Sequence, residues 1–204
     1  MDYKHLINYL DDVFKRLGAS DVNLQLAILD SDAPYASASG INISGKIYGR
    51  ITLTSGLFKL LDWREIKYVL GHEAVHIYMN HLPVKLLSKS IKNALVVLSI
   101  GNPAIAMGLL TSEMLNLAMY KLGGLPSEAK ITKEQELQAD LWSIILMGDP
   151  EPAVNALIKL SGGDLSKPSH LWEALGIPLP VMSVEERLSE ILKRVIILKR
   201  EGIL

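Results

Sequence analysis

The spacing of apolar positions divides the chain into a helix, a strand-forming stretch and a long helical remainder. Residues 2–17 repeat apolar side chains at helical spacing and break at Gly18, predicting an amphipathic first helix. Residues 22–29, 35–39 and 46–54 read as strands, with a turn over residues 30–34 between the first two. From Ser55 onward the pattern is helical, interrupted at Pro83, residues 101–103, 123–126, 148–152, 162–163 and 176–180. The expected fold class is therefore α+β and mainly helical, with a small sheet of about three strands packed on the helices. One helix starts with a clear signal. Asp62 followed by Glu65 reads as a capping box, and Leu57, Leu60, Leu61, Trp63, Ile66, Val69 and Leu70 give the apolar spacing, predicting a helix over 63–82. Gly71 inside it costs about 1 kcal/mol relative to alanine; close approach of a strand or substrate, or a plain packing contact, explains it.

The stretch 94–110 is almost wholly apolar and continues through Met114, Leu115, Leu117 and Met119. Gly101-Asn102-Pro103 breaks it, so a helical hairpin over about 84–122 fits better than one span of about 20 residues. Lys85, Lys89, Lys92 and Lys121 gather at the open end of this hairpin, and its tip carries no charge. Packing within the fold or against a second copy is the preferred reading, since Glu113 and Asn116 argue against lipid. Membrane association through 94–119 is the alternative.

Composition narrows the field. At 204 residues without a long linker, charge block or repeat, residues 1–204 read as one domain. With 21 basic and 22 acidic side chains, charge gives no case for nucleic acid. There is no cysteine, which excludes disulfides and thiolate metal sites. The first residues carry no basic and apolar signal pattern, and the expected location is cytoplasmic, with membrane association as the alternative.

The chemistry lies in the predicted helix over 63–82. His72-Glu73-Ala74-Val75-His76 puts two imidazoles one turn apart, and at about 100° per residue both face one side, so they can share a metal ion. Glu73, one residue round the helix, stands at the general-base position. Asn80 continues the stripe toward the same cleft. Further on, Glu136-Leu137-Gln138-Ala139-Asp140 supplies a carboxylate for a third corner, with Asp140 one turn beyond Glu136. One zinc ion held by His72, His76 and Glu136 leaves a fourth position for water, and Asp140 is placed to accept the free ring N–H of a ligand histidine.

His-Glu-x-x-His-x-x-x-Asn-His followed by Glu-x-x-Ala-Asp resembles the gluzincin metallopeptidases related to the CAAX prenyl endopeptidase, the HtpX heat-shock proteases and the short minigluzincins. Residues 34–61, 141–160 and Glu186-Arg187-Leu188 resemble further elements of that family. The chain departs from it at Tyr35, where the family has Asn, and at Val181-Met182, where it has His-Pro. The resemblance implies a zincin-like core with an inserted apolar hairpin, and a zinc endopeptidase acting on peptides or unfolded proteins. It also raises Asn80 as a holder of substrate backbone and His81 as a stabiliser of the oxyanion or orienter of the helix. Arg187 reads as a carboxylate partner, an oxyanion donor or a structural ion pair. Tyr78 and Tyr120 are oxyanion donors by chemistry only. By the same analogy 47–54 is the edge strand that receives substrate, with Ile47, Gly49 and Ile51 as its contacts; an ordinary core strand is the alternative. Two other classes stay open: a zinc-binding but latent regulatory protein, and a metal-free helical interaction protein working through the hairpin.

Overall fold

Alternating residues in three short segments build a twisted sheet, and one helix lies across its inner face. The computed structural model describes residues 3–81, 128–166 and 182–204. The elements, in chain order, are α1 (Tyr3–Leu17), β1 (Asp21–Leu29), β2 (Ala36–Ile43), β3 (Lys46–Thr54), α2 (Ser55–Leu60), α3 (Trp63–Tyr78), α4 (Glu128–Met147), α5 (Glu151–Leu160) and α6 (Val184–Arg200). The fold is α+β and mostly helical. The expected hairpin over about 84–122 lies outside the described residues. Among the described residues no helix is long and apolar enough to cross a membrane.

Strand order is β1-β3-β2, with β1 parallel and β2 antiparallel to β3. β3 is thus the central strand, hydrogen-bonded on both sides. This corrects the expectation that 47–54 is an edge: Ile47, Gly49 and Ile51 lie between two partners, and Ile47 and Ile51 are buried. Among the described residues the open edge beside α3 belongs to β2. That strand is longer than the expected 35–39, because Gly40 and Asn42, poor strand formers alone, are held in register against Gly49 and Ile47. A two-residue turn joins β2 to β3, with positive φ at Ser44 and Gly45 (53° and 85°), the twist that suits a tight hairpin.

The helix α3 is the centre of the molecule. Asp62 caps it by accepting from the N–H groups of Arg64 and Glu65, while the Glu65 side chain accepts from Asp62 N–H at 2.8 Å. From Tyr68 to Ile77 every residue is buried. Three helices and the sheet surround it: α1 brings Leu6, Leu10, Val13 and Phe14 to the core, α5 brings Ala153, Ala156 and Leu157, and α4 lies alongside. Gly71 is a packing contact with α4, since a Cβ there would lie 2.5 Å from Ser143 Oγ. The hydroxyl of Ser143 in turn donates to Tyr68 O at 2.8 Å.

Gly40 and Gly49 face each other across β2 and β3, and Ile77 of α3 fills the hollow they leave. A Cβ on Gly40 would meet Tyr48 O at 2.6 Å and Gly49 Cα at 2.8 Å, both backbone atoms with little freedom to retreat. Gly40→Ala should therefore lower stability by about 2 kcal/mol through overpacking. Urea unfolding checks this; an unchanged midpoint would mean that α3 does not depend on this hollow.

Candidate functional site

His72, Glu73 and His76 occupy the inner face of α3, and Glu136 and Asp140 occupy the facing side of α4. The two helices come close because their contact residues are small: Gly71, Ala74, Ala139 and Ser143 are all buried there. The close approach brings three donor atoms to one point. His72 Nε2 lies 3.0 Å from His76 Nε2, and Glu136 Oε2 and Oε1 lie 3.4 and 3.5 Å from them respectively. Tetrahedral zinc bonds of about 2.0–2.1 Å imply donor separations of roughly 3.3 Å. His72, His76 and Glu136 thus form a group of the right types and spacing for a metal ion. Both Glu136 oxygens are buried and make no hydrogen bond, an arrangement that costs free energy unless a cation meets them.

The far nitrogens of both imidazoles are engaged. His72 Nδ1 approaches Asp140 Oδ1 at 2.8 Å, and His76 Nδ1 stands 2.9 Å from His81 Nδ1. Each Nε2 is therefore the atom turned to Glu136. Asp140 gathers more than the histidine: Arg187 donates Nε to Oδ2 at 2.7 Å and Nη2 to Oδ1 at 2.6 Å, and Tyr68 OH donates to Oδ1 at 2.6 Å. Arg187 Nη2 also comes within 3.5 Å of Glu136 Oε2. Arg187 is fully buried, so its bidentate grip on Asp140 is the guanidinium's main compensation for leaving water.

Burial and neighbouring charge pull these groups in different directions. Burial would raise the Asp140 carboxyl, but Arg187 and His72 outweigh it and hold it far below the usual carboxylate range. Glu136 is likewise lowered, its burial outweighed by the two histidines and Arg187. For His72, burial works downward, yet the neighbouring carboxylates of Asp140 and Glu136 prevail and raise it to about 9. Glu73 differs: burial pushes its carboxyl up to about 7, with His72 pulling it down, Glu136 raising it, and the Ala38 backbone N–H of β2 stabilising its charged form. A carboxyl near neutrality suits proton transfer.

The remaining predicted residues fall elsewhere. α3 ends at Tyr78, not at residue 82, so Asn80 does not continue the stripe; it has a φ of 57° and pairs with the backbone of Asn42 in β2. His81 is buried against His76, and Arg187 against Asp140. The Tyr78 hydroxyl lies beside Gly18 at the end of α1. Tyr120 lies outside the described residues. Sequence reasoning missed Tyr68. It stands one turn before His72 on the same face of α3, and that spacing was the available signal.

Residues 3–195 match Peptidase family M48. The chain belongs to that family. Among curated members, a Protease HtpX homolog of Bifidobacterium longum is 27% identical over 159 residues, covering 71% of this chain and 50% of that protein. A Protease HtpX homolog of Kineococcus radiotolerans is 31% identical over 164 residues, covering 71% and 52%. The chain spans about half the length of these curated relatives. No solved structure matches it. The M48 match spans α3, α4 and the first 12 of the 17 residues of α6, the three helices that supply the histidines, Glu136, Asp140 and Arg187.

Removing the guanidinium of this M48 chain would strand Asp140 as a buried, less compensated charge. Arg187→Met should cost about 3–5 kcal/mol in urea unfolding. A loss below about 1 kcal/mol would show the pair to be a minor contributor.

Proposed function

We propose that the chain is a zinc endopeptidase of the gluzincin type, with a zincin-like core in a single domain over residues 1–204 and an inserted helical hairpin over about 84–122. The observation that carries this reading is the convergence of His72, His76 and Glu136, with both oxygens of Glu136 buried and without hydrogen bonds. Membership of family M48 and likeness to proteins named Protease HtpX homolog support the same reaction class. Zinc held by these three side chains supplies a Lewis acid that makes water acidic near neutral pH and polarises a peptide carbonyl.

The chain's own residues do the rest. Glu73, raised to about 7 by burial, accepts the proton of the attacking water and returns it to the leaving amine. Asp140 fixes the tautomer of His72 through Nδ1, and Tyr68 and Arg187 fix Asp140. His81 does the same for His76. Peptide or unfolded protein would bind in extended form, and its place is the edge of β2, open among the described residues. Thr54 N–H donates to Tyr35 O, which sets the alternation along the hairpin, so Ala36, Ala38, Gly40 and Asn42 turn their backbone groups away from β3. The Ala38 backbone N–H, which stabilises the charged form of Glu73, supports a peptide-binding edge beside the proposed base. Strand addition there supplies affinity through main-chain hydrogen bonds.

Metal analysis of the purified protein should give about one zinc per chain, lost in His76→Ala. Glu73→Gln should keep the zinc yet lower cleavage of an unstructured protein such as casein at least a hundredfold, roughly the lower bound for removing a positioned base. Absence of zinc would overturn the reading. So would zinc without cleavage, or cleavage untouched by Glu73→Gln.

A further inference from the structure

One position on the β2 edge is already occupied. The side-chain amide of Asn80 accepts from Asn42 N–H through Oδ1 at 2.7 Å and donates from Nδ2 to Asn42 O at 2.9 Å. These are the two bonds that a residue of an added strand would make. The Asn42 side chain is fixed as well, donating to Tyr78 O at 2.8 Å and accepting from Gly45 N–H at 2.9 Å. Asn80 holds its amide there from a left-handed backbone with φ 57°, a conformation that asparagine tolerates better than most residues.

Resting on the peptidase reading above, we propose that Asn80 is a specificity-determining end-stop that closes the peptide-binding edge of β2 at Asn42. An extended peptide pairs with Gly40 and with the carbonyl of Ala38, whose N–H meets Glu73, and cannot carry its backbone pairing further, because both outward groups of Asn42 are taken. Ala38 marks the position of Glu73. From Ala38 to Asn42 is four residues, which at about 3.3 Å per residue leaves room for roughly three substrate residues on this side of the base. Beyond them a longer substrate leaves the edge and gains no further main-chain bonds. The site thus prefers chains that end, or bend away, within a few residues of the cleaved bond on this side.

The test separates binding from cleavage. Zinc-loaded Glu73→Gln protein is titrated with fluorescent unstructured peptides, lengthened one residue at a time from either end, and affinity is read by anisotropy. Affinity should stop rising at one end after about three residues. Adding Asn80→Gly, which keeps the left-handed backbone and removes the amide, should let it rise by about tenfold over the next two residues at that end only. Asn42→Ala serves as the control for loosening alone: it cuts the tie to Tyr78 but leaves the Asn80 amide on the backbone, so its length profile should match the parent. Identical profiles with and without Asn80→Gly, a change at both ends, the same shift in Asn42→Ala, or no peptide binding at all would overturn the end-stop. Casein cleavage by the unsubstituted protein, measured in parallel, reports separately on the peptidase reading.

Discussion

A carboxylate withdrawn from water on α4 requires partners, and the Asp140 side chain draws three of them from two other helices. Tyr68 and His72 come from α3 and Arg187 from α6, all within 2.6 to 2.8 Å. Each contact has a structural and a chemical consequence. Arg187 ties the last helix to the core, Tyr68 ties two adjacent turns of α3 to α4, and His72 has its ring turned so that Nε2 meets His76 and Glu136. The arrangement depends on completeness. A buried acid lacking one donor would be costly, and a buried guanidinium lacking the acid more so, which makes this cluster sensitive to a change at any member.

The same logic explains why the proposed metal ligands sit where α3 and α4 approach closely. Imidazole and carboxylate reach only a few ångströms from their backbones, so three of them meet only if α3 and α4 nearly touch. Gly71 opposite Ser143 and the buried Ala139 permit that approach. On the other side of α3, Gly40 and Gly49 let Ile77 press into the sheet, bringing the β2 edge down to Glu73. Small residues on both flanks thus set the distance from the His72, His76 and Glu136 group to Glu73 and from Glu73 to the β2 edge.

The pattern of residues made some of this legible and hid the rest, for physical reasons. The capping box at Asp62 and Glu65, the turn-spaced pair His72 and His76, and the strand over 46–54 depend on neighbours in sequence, and local spacing reports them well. Sheet order depends on long-range pairing. Nothing in the apolar run of 47–54 distinguishes a central strand from an edge, and the edge assignment passed instead to β2, whose Gly40 and Asn42 disguise it as a loop. Tyr68 was hidden because a tyrosine on a helix face is usually core. Its role emerges only when Asp140, 72 residues on, is placed against it.

The end of α3 shows how one conformational break serves two requirements. Had the helix continued past Tyr78, Asn80 would have stayed on its inner stripe and the outward backbone of Asn42 would have lacked the amide that now meets it. Turning left-handed at Asn80 stops the helix, sends the amide to Asn42, and reverses the chain so that His81 comes back against His76 Nδ1. The two contacts are coupled through a single φ angle. A residue less tolerant of that angle would loosen the support of a proposed metal ligand and open the sheet edge at once, so the support of His76 and the usable length of the β2 edge are set together by the conformation of Asn80.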